Sequence, residues 1–188
     1  MSDKRITSST IFNIAILSFS DKPVDHIIQS FVQKYPDQVT KENVSTSLEI
    51  IPLHFEYDQM SILINLIRPI SPHLIDKLEK TYYNEKEGAM ILFSKNNEHS
   101  FKAAKTFYRK LQKENKEFPI PIAFVELLEQ DEPLVSNIGE PEVLEDIPQV
   151  GYFGLTENAE GFETIIRFII SNYIEIHKIL DKKSLAKF

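Results

Sequence analysis

The side chains of this chain that could do chemistry are acidic, basic and hydroxyl groups, because the sequence contains no cysteine. The absence of cysteine excludes a disulfide framework, a thiolate zinc site, a cysteine nucleophile and a prenyl or palmitoyl anchor. The five histidines are scattered along the chain, and none has the H-E-x-x-H spacing of a zinc site. Because the histidines are scattered, no Ser-His-Asp triad is predicted either.

Charged residues occur where predicted strands end. Asp21, Lys22 and Asp25 follow a buried apolar run at residues 12–18, and Arg68 follows another at 61–67. In parallel α/β sheets, ligands usually bind beyond the carboxyl ends of the strands. Two plainer interpretations remain open: the aspartates cap a helix and favour its dipole, and Arg68 is a solvated or ion-paired strand end. A phosphoacceptor receiver domain is not favoured, because no aspartate follows the apolar run at 88–94.

The elements that must position these residues alternate along the chain. Apolar β-type runs predict strands at 12–18, 48–56, 61–67, 88–94, 120–125 and 150–153, and the second and third form a hairpin. Helical spacing of apolar residues predicts helices near 24–31, 74–83, 101–111 and 161–180, with Asn97 or Asn96 as a possible cap of the third, and a further short helix is predicted around 141–144. This order indicates an α/β fold with a six-stranded, mostly parallel sheet, one antiparallel edge strand and helices on both faces.

Length and composition indicate one folded domain. The 188 residues are 42% apolar and 26% charged, and 21 basic against 28 acidic residues give a net charge of −7. We expect a flexible segment at 1–10, a single domain at 11–180 and a short basic tail at 181–188. The acidic balance argues against nucleic acid as a partner. With no signal peptide, myristoylation site or apolar run of about 20 residues, we expect a cytoplasmic protein without a membrane anchor.

Several local strings resemble the Rab-like branch of the Ras superfamily of small GTPases. Residues 16–31 align without gaps to the family's first strand, phosphate loop and first helix. The string at 82–93, YYNEKEGAMILF, is similar to the family's YYRGADGAILVFD, and 98–101 matches the ESF that opens its third helix. Residues 119–125 resemble the strand before the guanine-reading motif, and 135–136 with 152–156 resemble the VS…YFETSA segment. The resemblance covers about 11–177 and implies a three-layer fold of the P-loop NTPase type.

The sequence departs from this family at the residues that bind phosphate and metal. A phosphate loop reads G-x-x-x-x-G-K-[ST], in which glycine N–H groups and a lysine hold the phosphates and a hydroxyl holds Mg²⁺. The aligned positions here are Ser18, Pro23, Val24 and Asp25. Proline removes a backbone donor, valine removes the cation, and aspartate replaces the hydroxyl.

The other motifs are altered too. In the D-x-x-G loop, Arg68 stands where the family has the metal-linked aspartate, and Ser71 stands where it has glycine. In the base-reading N-K-x-D motif the aligned residues are Leu127, Leu128 and Gln130, and the glutamine cannot supply the charged acceptor pair that guanine needs. Four altered motifs, the S-A-K segment included, predict that the family's mode of GTP binding is lost.

The expected function is therefore a pseudo-GTPase, a catalytically inactive domain that acts as a protein-interaction or regulatory scaffold without cofactor or metal. The resemblance implies partner contacts through the hairpin and switch-like loops at 36–60 and 68–83, and an edge-strand dimer through 48–56 is a further possibility. One alternative is an unorthodox nucleotide-binding GTPase with weak or no hydrolysis, in which Lys22 and Arg68 bind GTP or GDP with Mg²⁺. The other is an unrelated α/β domain whose likeness is accidental.

Overall fold

Seven strands and three helices make up the described part of the chain. A computed structural model describes residues 11–34, 42–43, 47–58, 60–71, 82–83, 86–94, 96–128, 150–156 and 159–185. The strands are β1 (Ile11–Ser18), β2 (Glu42–Asn43), β3 (Leu48–Tyr57), β4 (Met60–Pro69), β5 (Gly88–Phe93), β6 (Ile122–Leu128) and β7 (Val150–Thr156). The helices are α1 (Asp21–Lys34), α2 (Glu98–Glu114) and α3 (Phe162–Leu185).

The strands form one sheet in the order β2-β3-β4-β1-β5-β6-β7. β1 pairs in parallel with β4 and β5, and β6 pairs in parallel with β5 and β7. β3 runs antiparallel to β4 through a hairpin in which Tyr57 lies opposite Met60. The predicted α/β class and mostly parallel sheet are confirmed. The carboxyl ends of β1, β4, β5, β6 and β7 consequently share one edge of the sheet, which we call the carboxyl edge.

Each face of the sheet carries its own apolar core. Helices α1 and α3 cover one face, where Phe31, Ile165 and Ile169 belong to an apolar core that also contains residues of β1, β3, β4, β5 and β6. Helix α2 covers the other face through Ala104, Tyr108 and Leu111, all of which are buried. At the start of α2, the side chain of Asn97 accepts a hydrogen bond from the backbone N–H of Ser100 at 3.0 Å, as expected for the predicted cap.

The sheet differs from the sequence expectation at its edge. The two-residue strand β2 lies outside the six main strands and pairs with β3 at Glu42–Ile50 and Asn43–Glu49. A polar pair of residues gives no periodic signal, so sequence reasoning placed a loop there. Helix α3 also continues to Leu185, into the segment expected to be a tail. The predicted segment 1–10, most of the helix predicted at 74–83 and the short helix near 141–144 lie outside the described residues.

Candidate functional site

The carboxyl edge brings together several of the residues that the sequence singles out. Ser18 ends β1, Arg68 is the second-last residue of β4, and Leu127 and Leu128 end β6. Asp25 lies in the second turn of α1, which begins directly after β1. The side chains of Lys22 and Pro23 and the whole of Gln130 fall outside the described residues.

The connection between β1 and α1 is short. Only Phe19 and Ser20 separate the strand from the helix, and the backbone N–H of Ser20 donates to Ser18 Oγ at 3.3 Å. A phosphate loop needs several backbone N–H groups free to point at the ligand. Here the helix has already begun at Asp21, so the positions aligned with the loop's later residues are helical. Phe19 is 48% exposed, and its ring lies nearly parallel to that of His99 at 6.5 Å.

Val24 faces the protein interior. It is 4% exposed and belongs to the apolar core under α1, together with Ile27, Ile28 and Phe31. Its helical spacing explains this burial, because residues three, four and seven positions apart lie on one face. The position that the resemblance aligns with a phosphate-binding lysine is therefore a core position in this protein.

Arg68 is the centre of a charged cluster. Its Nη2 donates to Asp25 Oδ1 at 2.5 Å, and its Nε donates to Glu49 Oε2 at 2.5 Å. The side chains of Arg68 and Glu49 are 13% and 7% exposed, and that of Asp25 is 47% exposed. Burial disfavours the charged guanidinium, but the hydrogen bonds and charges of Asp25 and Glu49 outweigh it and raise the pKa of Arg68 above its ordinary value. The ion-paired interpretation of Arg68 is confirmed.

Tyr82 and Tyr83 lie beside the carboxyl ends of β1 and β4, on the opposite face of the sheet from α1. Both rings are fully buried and meet edge to face at 5.7 Å. The Tyr82 hydroxyl lies 2.6 Å from the carbonyl oxygen of Ile16 and 2.9 Å from that of Ile67. The parallel pairing of β1 with β4 extends only to Ala15 and Ile67, so this hydroxyl bridges the two strands where their own ladder ends. Burial raises the pKa of Tyr82 well above its ordinary value, with a smaller contribution from Tyr83.

The residues aligned with the D-x-x-G and base-reading motifs lie where the chain takes part in strand pairing and apolar packing. The backbone N–H of Ile70 donates to the carbonyl of Ser47 at 3.0 Å, which holds the chain next to Ser71 against the start of β3. Leu127 packs on the apolar core, and Leu128 is 7% exposed. Gly154 lies so close to Leu128 that an added Cβ would be 2.7 Å from the leucine Cδ1.

Sequence reasoning missed Glu49 and the bridging role of Tyr82. Glu49 lies directly opposite Arg68 in the β3–β4 ladder. Both follow the alternation of buried residues in their strands, after Ile62, Ile64 and Leu66 in β4 and before Ile51, Leu53 and Phe55 in β3. The sequence therefore did contain a signal. Two residues of opposite charge stand in the two strands of the hairpin at positions where the alternation predicts buried apolar residues. Sequence reasoning also missed Glu126, which is 2% exposed and opposite Phe93 and Gly154.

No group of three or more metal-ligating side chains comes together within the described ranges. No family model matches this chain, and no curated protein matches it. No helix in the described part of the chain is long and apolar enough to cross a membrane.

Proposed function

We propose that this chain is a small-GTPase-like domain that has lost the family's mode of GTP binding and hydrolysis and acts as a protein-interaction scaffold. The sequence strings that resemble Rab-like GTPases support the family part of the proposal. The strand order supports it as well. When β2 is left out, the order is β3-β4-β1-β5-β6-β7. If these six strands are renumbered in chain order, this becomes 2-3-1-4-5-6, the order that the resemblance implies. An accidental likeness in an unrelated α/β domain would not require this order.

The ion pair between Arg68 and Asp25 is the observation that carries the proposal. The resemblance gives metal-linked roles to the side chains at both positions, a hydroxyl on α1 and a carboxylate at the end of β4. In this chain the residue on α1 is the anion Asp25 and the residue near the end of β4 is the cation Arg68, and the two form an ion pair. A guanidinium is always charged, so Arg68 offsets one of the two carboxylate charges, holds one oxygen of each carboxylate and would repel a divalent cation placed beside them.

The phosphate-binding part of the site is also replaced. The two-residue connection after Ser18 leaves little backbone to cradle a phosphate, and Val24 adds an apolar side chain to the core. Arg68 could supply a cation in place of the missing lysine, but its Nε and Nη2 already donate to carboxylates. Binding a phosphate through Arg68 would compete with its ion pair to the buried Glu49 carboxylate, and weakening a buried ion pair is costly.

The scaffold role is supported by side-chain contacts that join the β3–β4 hairpin to α1 and α3. Arg68 links β3 and β4 to α1, and Arg167 of α3 donates to the carbonyl of Glu56 at 3.3 Å and lies over the Phe55 ring. Among the described residues of the segments implied to meet partners, two large apolar side chains are exposed, one at each end of β4. They are Met60, 55% exposed at the hairpin turn, and Ile70, 48% exposed just after β4. A fixed surface with exposed apolar residues suits protein recognition.

Titration with fluorescently labelled GDP and GTP in the presence of Mg²⁺ tests the loss of nucleotide binding. We expect no saturable, guanine-specific binding up to about 100 μM, a concentration far above the Kd of a working nucleotide site. Saturable binding that is lost in Lys22→Ala, with the fold intact by circular dichroism, would instead support the unorthodox nucleotide binder.

The scaffold role is tested by affinity capture from cell extract with quantitative mass spectrometry. We expect Met60→Glu/Ile70→Glu to lose a protein that the wild-type chain retains. Ile11→Glu is the matched control, because Ile11 is 47% exposed and lies at the start of β1, outside the segments implied to meet partners. Equal retention by the wild type and the double variant would contradict the assignment of this surface.

A further inference from the structure

The exposed side of α2 carries a row of cations. Lys102, Lys105, Arg109 and Lys113 are spaced by three or four residues, so they lie on one side of the helix. Lys116 follows just after the C-cap residue Asn115. The opposite side of the helix holds its buried residues, which are Ser100, Ala104, Tyr108 and Leu111. We call the five cations the basic row; its helical part extends for about 16 Å at 1.5 Å per residue.

Most of the basic row is not explained by interactions within the chain. Lys102 pairs with Glu98 at 2.6 Å, and the Lys105 ammonium lies 4.5 Å from the centre of the Phe101 ring. Arg109, Lys113 and Lys116 make no side-chain ion pair with any other described residue. Lys113 in the last turn is favoured by the helix dipole, but Arg109 is too far from the helix end for this effect.

A groove of about 680 Å³ begins where the basic row ends. It lies between the connection from α2 to β6 and the later turns of α3, and it is lined by Lys113, Lys116, Phe118 and His177, among others. Phe118, which lines the groove, is 67% exposed. The volume falls within the range of ligand pockets, so the groove can receive a large side chain.

We propose that the basic row and this groove form a docking surface for an acidic segment of a partner protein. Carboxylates of the segment pair with Arg109, Lys113 and Lys116, and one apolar or aromatic side chain enters the groove beside Phe118. Glu114 and Glu117 also line the groove. Their charge disfavours a continuous polyanion such as nucleic acid or an anionic membrane and favours a segment that presents an apolar group at this point. The groove end of this surface lies at the edge of the sheet opposite Arg68, whereas Lys102 and Lys105 lie in the first half of α2, which follows the carboxyl end of β5.

The proposal is tested by fluorescence anisotropy with a labelled peptide of alternating Glu and Gly that has one central Phe. We expect Arg109→Glu/Lys113→Glu/Lys116→Glu to bind it at least about tenfold more weakly than the wild type. The charge-conserving variant Arg109→Lys/Lys113→Arg/Lys116→Arg should bind within about twofold of the wild type, because it keeps every cation. Phe118→Ala should weaken binding about fivefold through loss of the apolar contact.

Three results would overturn the proposal. One is equal binding by the wild type and the charge-reversed variant. Another is tighter binding to phosphatidylserine vesicles or duplex DNA than to the peptide, which would indicate a general polyanion surface. The third concerns residues 129–149, which contain seven Asp and Glu and no Lys or Arg. If peptide binding appears only after these acids are changed to Asn and Gln, the chain's own segment competes for the surface and the partner assignment is wrong.

Discussion

Arg68 at the end of β4 donates to Asp25 of α1 at 2.5 Å while it also donates to Glu49, the residue directly opposite in β3. One buried guanidinium therefore joins three elements at the carboxyl edge. Removal of one partner from a buried ion pair leaves an uncompensated charge, which costs far more than the pair itself contributes. The cluster is consequently sensitive to single substitutions and more tolerant of paired ones.

Replacement of Arg68 by leucine tests this sensitivity. We expect Arg68→Leu to lower the free energy of unfolding by about 3 kcal/mol, because Glu49 is left buried without its cation. Arg68→Leu/Glu49→Leu should recover a large part of that loss. The measurement is urea denaturation at 25 °C.

Arg167→Leu is the matched control for Arg68→Leu. Its pair with Glu163 is about half exposed on both sides, so its loss should cost less than about 1 kcal/mol. Similar losses for the two arginine variants would show that the Arg68 cluster behaves as a surface ion pair.

The Tyr82 hydroxyl bridges the carbonyl oxygens of Ile16 and Ile67. Tyr82→Phe should lower the free energy of unfolding by about 1–3 kcal/mol, because two buried acceptors lose their donor. Tyr57→Phe, in a half-exposed position, should stay within about 0.5 kcal/mol. A Tyr82→Phe loss no larger than that of Tyr57→Phe would contradict the bridging role.

The raised pKa of Tyr82 also gives a pH dependence. Above about pH 10, tyrosine ionises in the unfolded chain while Tyr82 stays protonated in the folded protein. The stability that Tyr82 contributes is fully present below pH 10 and decreases as the pH rises above it. The decrease in stability between about pH 10 and 11 should therefore be shallower in Tyr82→Phe.

Gly88 is the point of closest approach between β5 and α3. A Cβ at this position would lie 2.2 Å from Cγ2 of Ile169, which is completely buried. Gly88→Ala should therefore destabilise the protein by about 1–3 kcal/mol through overpacking. Combination with Ile169→Ala removes the clashing methyl group, so the double variant should lose less stability than the sum of the two single variants. Additive losses would contradict the close contact.

Val24 offers a test of whether the missing phosphate lysine can be restored. Val24→Lys should destabilise the fold by about 3 kcal/mol, because it places an ammonium group in the apolar core under α1, and it should not create GTP binding. Gln33→Lys, at an exposed position of the same helix, should be nearly neutral. A stable Val24→Lys protein that binds GTP would show that the phosphate site persists.

Much of the fold could be predicted from the sequence, because apolar runs and helical spacings report burial directly. The strands at β1, β3, β4 and β5 and the Asn97 cap follow from local patterns of this kind. Strand β2 could not be predicted, because two consecutive polar residues carry no periodic apolar signal.

The candidate site was only partly predictable. Local motifs show that Val24 and Asp25 depart from a phosphate loop, but they do not show what replaces the ligand. That depends on the register of β3 against β4, which places Glu49 opposite Arg68, and on the packing of α1 beside them. The sequence shows that Glu49 and Arg68 stand at positions where buried apolar residues are expected. That they face each other could be identified only from the pairing of β3 with β4.

The most direct test of the loss of GTP binding is a melting curve of the wild-type protein with and without millimolar GTP, GDP or ATP plus Mg²⁺. A ligand at 100 times its Kd adds about 2.7 kcal/mol, which raises the melting temperature of a domain this size by several degrees. We expect no guanine-specific shift, because Arg68, Asp25 and Val24 occupy the positions that such a ligand needs. A guanine-specific rise of several degrees that disappears in Arg68→Gln would contradict the proposed function.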